Sequence, residues 1–282
     1  MVEFITEQQK NLMKKVFGEE KVVIGMLHTL PLPGSAMYED NMDEIVKQGV
    51  KEAKIYADSN VDSIMIENMH DTPYLVGKVY DETVDAMIEV CEAVKCVFKK
   101  PIGIQILDSA NFQALDVAKK VGLDFVRVGA AFVFGAIANS GYINACAGEL
   151  LRYRKKINAK NVKVFADIKK KHASHSITAD VDIAETAMNA ELARADGVIV
   201  TGKFTGLEAN LNDVKIVKKT VSIPVLIGSG ITLENINKYL KYADGFIMGS
   251  YFKDEGKWHN PVSSNRVTQF VKKFDRLRKN LL

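Results

Sequence analysis

Cysteine is scarce in this chain. Its 282 residues include three, Cys91, Cys96 and Cys146, an odd number with no C-x-x-C spacing. A disulfide framework or a cysteine metal site needs a patterned set, so the three read as buried reduced thiols in a reducing, cytoplasmic compartment. Charge of one sign is also lacking: 38 basic residues against 35 acidic ones leave +3, dispersed along the chain. That excludes the basic stripe of a nucleic-acid surface, so no nucleic-acid partner is expected. The first twenty residues hold no apolar signal core. One stretch, Val128 to Gly148, carries no charge, but Gly135, Asn139, Ser140, Gly141 and Asn144 interrupt it and Arg127 directly precedes it. It reads as a buried or lid-like loop, so no integral membrane segment is expected.

Eight short apolar runs are present: VVIGMLH, SIMIEN, IGIQIL, FVRVG, VKVFADIKKKH, GVIVTG, PVLIGSG and GFIMGS, with helix-patterned segments between most of them. Buried strands alternating with helices mark parallel βαβ units, and eight units predict a (β/α)₈ TIM barrel, an α/β fold. The 47% hydrophobic content suffices for one large core, so a single domain is expected: a helical extension over residues 1–20, its helix spanning 4–17 under the barrel, then the barrel over 21–282. Loops 1 (TLPLPGSAMYEDN), 2 (MHDTPYLVGKVY) and 4 (Gly129 to about Ile143, read as structureless) are long. In the third loop Asp108 or Ser109 is the expected helix cap, and Thr232 that of the seventh.

Active sites of such barrels lie at the C-terminal strand ends. His28, Glu67, Gln105, Arg127, Asp167, Lys169, His172, Thr201, Ser229 and Ser250 all fall there. Gly228-Ser229-Gly230 and Gly249-Ser250 let backbone amides approach an anion closely, so they predict a phosphate cradle and a small phosphorylated ligand. Thr201-Gly202-Lys203 has the same character. Equally, glycines there could serve only to turn the chain. On the fifth strand, period-two alternation places Phe165, Asp167 and Lys169 on one face with His172 a turn beyond. An aspartate beside a lysine makes an electrostatic clamp or a proton donor, a desolvated lysine an imine-forming nucleophile, and a buried ion pair with no chemistry is the plain alternative.

Glu67 ends an otherwise apolar strand and is a base candidate. Arg127, flanked by apolar residues, needs an anionic partner: Glu67, Asp167 or a substrate. His28 stands at the entrance to loop 1, with weaker cases for His70 and His175. No cofactor is identified. A divalent metal stays open, with no H-x-H or H-x-x-x-D pair to fix one, and so does homo-oligomerisation. Valine at Gly228 or Gly230 is expected to weaken anion binding while leaving the barrel folded.

The runs VIGMLHTLPLPGS, ELLRYRKKI, ADIKKKHAS, TGKFTG, LIGSGITLEN, ADGFIMGSYFKDEG and NPVSSNRV, with Glu67-Asn68, resemble the BtpA family (BtpA/SgcQ) in matching order over about residues 20 to 275. The resemblance implies the barrel and a rim site of His28, Glu67, Asp167, Lys169, His172 and the Gly228–Gly230 loop. Two positions depart from its pattern: Gly129 where asparagine is expected, and Asn139-Ser140-Gly141 where an acidic residue is. Two function classes follow. One is an enzyme, a lyase, isomerase or hydrolase, acting on a phosphosugar or nucleotide-like compound by acid/base or aldol-type chemistry. The other is a non-catalytic assembly or stability factor, as the family's association with photosystem I biogenesis implies. A distant echo of the Asp-x-Lys-x-x-Asp pattern of orotidine-phosphate decarboxylases, Asp167-x-Lys169-x-x-His172, is weakened by the final histidine.

Overall fold

The computed structural model describes residues 11–280. The strands are β1 (Val22–His28), β2 (Ser63–Glu67), β3 (Ile102–Gln105), β4 (Phe125–Val128), β5 (Ala136–Ala138) and β6 (Gly141–Ile143). They continue with β7 (Lys163–Ile168), β8 (Ala173–Ser174), β9 (Gly197–Val200), β10 (Val225–Ile227) and β11 (Gly245–Met248). Eight of them close a parallel barrel in the order β1-β11-β10-β9-β7-β4-β3-β2. The fold is thus the (β/α)₈ barrel, and each of the eight apolar runs supplies one barrel strand. Both faces of these strands are covered, which is why they read as unbroken apolar runs instead of alternating.

Helices α2 (Met42–Asp58), α3 (Asp81–Val97), α4 (Asn111–Val121), α5 (Ala147–Lys156), α6 (Ile183–Leu192), α7 (Leu211–Thr220), α8 (Ile236–Tyr239) and α9 (Ser264–Lys279) follow the strands. Asn41 caps α2, its side chain accepting the Glu44 amide. Asp108 and Ser109 cap nothing: α4 starts at Asn111 behind Ala110, with no side-chain cap bond. Thr232 accepts the Glu234 amide within a turn, and α8 begins only after Asn235.

Residues 11–17 form a helix, α1, while residues 4–10 of the expected helix lie outside the described residues. Met13 and Phe17 enter the barrel floor with Val22, Ile24, Phe125, Phe165 and Leu226. The Phe17 ring meets Phe125 edge-on at 5.5 Å. That layer needs a missing side chain: a Cβ at Gly103 would sit 2.1 Å from the Phe125 ring. A plugged floor leaves the C-terminal mouth as the open end.

Loop 4 is not structureless. β5 and β6 form an antiparallel hairpin, and β8 from the β7 loop joins it. Ala130, Ala131, Ala136, Ala138 and Ile143 are its buried cluster, which accounts for the uncharged stretch. No helix among the described residues is long and apolar enough to cross a membrane. All three thiols are free; Cys91 is buried, Cys146 half-buried and, against expectation, Cys96 is exposed on the outer side of α3.

Candidate active site

A cavity of about 480 Å³ opens at the C-terminal mouth, lined by residues that include His28, Glu67, Gln105, Arg127, Asp167, Lys171 and His172. Parallel register brings these together: His28 is paired with Glu67, and Glu67 with Gln105, across β1, β2 and β3. Arg127 and Asp167 project from β4 and β7, and the guanidinium holds the carboxylate through two bonds of 2.8 Å, Nε to Oδ1 and Nη2 to Oδ2. Both groups are buried. Of the partners open to Arg127, it takes Asp167.

His28 and Glu67 form a second pair, Nε2 to Oε2 at 3.6 Å. Burial, aided by the charge of Lys253, holds the His28 imidazole well below its usual range, so the ring is neutral. Its Nδ1 lies 3.2 Å from the Trp258 carbonyl, which can only accept, so Nδ1 carries the proton. The Nε2 lone pair therefore faces Glu67. Burial raises the Glu67 carboxyl above its usual range, against the pull of Arg127. At 3.6 Å the two groups lie just beyond direct hydrogen-bond reach of each other.

Lys169 is placed otherwise than expected. Alternation stops at Ile168; Lys169 and His172 take positive φ of 46° and 57°, at a cost on the order of 1 kcal/mol each. The Lys169 amine turns away to the Thr178 carbonyl and hydroxyl, at 2.8 and 3.1 Å. Lys170 and Lys171 line the cavity instead. The Lys170 amine pairs with Asp108 at 2.7 Å, and Asp108 also accepts the Ser140 hydroxyl from the β5–β6 turn. Lys171 uses its main-chain amide to reach Thr201, and its amine has no hydrogen bond or ion pair among the described residues. Burial and then the Arg127 charge bring that amine down to about 8, with Asp167 and Glu67 pulling the other way.

His172 bonds Thr205 at 2.8 Å and lies against Phe204 at the exposed edge of the mouth. His70 donates Nδ1–H to the Thr29 carbonyl and faces Trp258. His175 bonds the Lys170 carbonyl outside the cavity lining. No group of three or more His, Cys, Asp or Glu side chains converges as metal ligands among the described residues.

At the other wall stand Gly228, Ser229, Gly230, Gly249 and Ser250. The Gly228 amide is spent on the Val200 carbonyl, whereas those of Ser229, Gly230 and Ser250 have no partner in the chain among the described residues. The Ser229 hydroxyl accepts the Gly202 amide at 2.6 Å. Gly202 thus supports this loop and Thr201 holds the Lys171 amide, both from outside the cavity lining. Gly230 is structural: its φ is +69° and a Cβ would lie 2.2 Å from the Glu208 amide nitrogen. At Gly228 a Cβ would press on Ile199 at 2.8 Å. A valine at either position therefore disturbs the packing of the loop as well as anion binding, where the sequence suggested an effect on binding alone; at Gly249 a Cβ has room, its nearest neighbour being Met26 at 3.8 Å. Arg266, from the first turns of α9, lies against the Tyr251 ring and bonds the Tyr251 carbonyl beside this wall.

Gln105 explains one departure from the family pattern. A Cβ at Gly129 would lie 2.0 Å from Gln105 Nε2, so the Gln105 amide takes the space of the expected asparagine. Gln105 Oε1 is buried with no partner. Sequence reasoning missed Asp108, Lys170, Lys171, Trp258 and Arg266. The KKK run signalled a cationic loop without saying which lysine turns inward, and the lone Trp258 gave no periodic cue.

Among solved structures, orotidine 5′-monophosphate decarboxylase of Methanocaldococcus jannaschii resembles the chain with a TM-score of 0.55 at 15% identity, covering 90% of this chain and 99% of that one. That likeness is one of fold. An uncharacterised mitochondrial protein of Caenorhabditis elegans is 41% identical over 277 residues, 96% of this chain and 99% of the relative. The photosystem I biogenesis protein BtpA of Synechocystis is 33% identical over 259 residues, 91% and 89% of the two chains. With the BtpA family model matching residues 19–276, the chain belongs to the BtpA family.

Proposed function

We propose that this protein is an enzyme acting on a small phosphorylated metabolite, a phosphosugar or nucleotide-like compound, by acid/base or aldol-type chemistry at the C-terminal mouth of its barrel. The observation that carries this is one cavity with two unlike walls. One presents the amides of Ser229, Gly230 and Ser250 with Arg266 beside them, suited to a phosphate dianion. The other presents the neutral His28 imidazole facing Glu67, whose carboxyl burial raises, and a depressed lysine, groups whose perturbed titration suits proton transfer. The solved-structure neighbour bears the name of an enzyme of a phosphorylated substrate, which agrees with this division.

The alternative of an assembly factor would be favoured by a large apolar patch away from the mouth. Met188 and Leu192, one turn apart on α6, and Ile216 on the adjacent α7 are the exposed apolar side chains such a surface would use. The compartment stays open, since one relative is named as mitochondrial.

A thermal-shift screen of phosphorylated metabolites, followed by turnover assays on the hits, tests the proposal. It predicts stabilisation by a subset of sugar or nucleoside monophosphates and not by their dephosphorylated forms. No stabilisation by any phosphate ester would overturn it.

A further inference from the structure

Three consecutive lysines follow Ile168, and among the described residues only one has no partner. Lys169 is tied to Thr178, Lys170 to Asp108. Lys253, a fully buried lysine near the mouth, is locked to both carboxylate oxygens of Glu52 at 2.9 and 3.1 Å. Lys171 alone brings an unengaged amine to the cavity lining, in the same cavity as the Ser229, Gly230 and Ser250 amides. We infer that the cavity takes a phosphorylated aldehyde or ketone and that the Lys171 amine adds to its carbonyl carbon to form an imine, which rests on the enzyme reading above.

The surroundings suit an amine that must be partly neutral. Arg127 from β4 and Lys170 beside it push its proton off, while Asp167 from β7 and Glu67 from β2 pull the other way; with burial the largest effect, the amine titrates at about 8. A lasting anion clamp is better served by a guanidinium, which keeps its charge; an ammonium gives up its proton when buried. In the step itself, the nitrogen lone pair forms the C–N bond and the C=O π electrons move to oxygen. The carbinolamine then loses water, whose two hydrogens come from the amine and are relayed by the His28–Glu67 pair. Amine and carbonyl thus give imine and water, with no oxidant or reductant required.

Pyridoxal 5′-phosphate, a phosphorylated aldehyde small enough for a cavity of about 480 Å³, is a direct probe. The full-length protein is incubated with it, reduced with borohydride and mapped by mass spectrometry. The expected result is saturable labelling of Lys171, with its rate rising to a half-point near pH 8, lost in Lys171→Met and retained in Lys169→Met. Label spread over exposed lysines with Lys171 unmodified, or a half-point near that of a free lysine, overturns the inference. Pyridoxal without phosphate separates the two claims. Equal labelling of Lys171 by both aldehydes supports imine chemistry and refutes the phosphate wall. Failure of both at Lys171, with inorganic phosphate still binding by calorimetry, refutes the imine and leaves the phosphate wall standing.

Discussion

Glu67 is a carboxyl whose burial works against its charge, and the sign of that effect is testable. Its folded-state titration is raised, so over the window just above the usual carboxylate range the native state keeps a proton that the unfolded state has released. Stability from this group is therefore full at low pH and lost as pH rises through the folded value. Glu67→Gln removes the loss. Urea denaturation at pH 5 and pH 7 should show the variant losing less stability than the wild type between the two, while turnover of an identified substrate falls by about 10²- to 10⁴-fold, the usual contribution of a positioned acid or base.

Asp167 depends instead on its partner, Arg127. Replacing it with asparagine leaves a buried guanidinium without its carboxylate, at a cost of about 3–5 kcal/mol, read from the shift in the denaturation midpoint. Both side chains are buried, so no solvent replaces the lost partner.

That His28, Glu67, Arg127 and Asp167 share the cavity was legible because a lone polar or charged residue within or at the end of an apolar strand is conspicuous. Lys171 was not, because strand alternation was carried one residue too far, to Lys169. Only the positive φ at Lys169 and His172 reveals the turn that exchanges one lysine for another.

Among the elements, the β5–β6 hairpin and the β7 loop are joined through Asp108. Its two carboxylate oxygens take Lys170 and Ser140, and Asn139 donates its amide to the His172 carbonyl. Three loops from β3, β4 and β7 thus meet at one carboxylate that the sequence offered only as a helix cap. Asp108→Asn keeps the shape and removes the charge, so faster amide hydrogen exchange is expected over residues 136–143 and 169–174, with the barrel strands unaffected. Unchanged exchange in the hairpin would mean that the alanine cluster alone holds it. The hairpin escaped sequence reading because its strands are three residues each and rich in alanine and glycine, which carry little strand signal.

For the whole molecule, closure depends on contacts between its first and last units. The Lys253–Glu52 pair fixes the segment after β11 to α2, and Glu52 also accepts the Val262 amide. At the other end Arg278 of α9 bonds the Lys21 carbonyl and Asp62. Lys253→Met strands a buried carboxylate and is expected to cost about 3–5 kcal/mol. Pairing it with Glu52→Gln should recover part of that loss in a double-mutant cycle of chemical denaturation. The barrel itself was readable from eight apolar runs, because strand order follows from parallel βαβ connection. The ion pairs that close it were not, since their partners lie some two hundred positions apart.

The most direct measurement for the account is a crystal structure of the protein with a bound phosphate monoester. The phosphate is expected against the amides of Ser229, Gly230 and Ser250 with Arg266 at its side, and the organic portion reaching toward Glu67, His28 and Lys171. A phosphate bound elsewhere on the molecule, with this cavity empty, would contradict it.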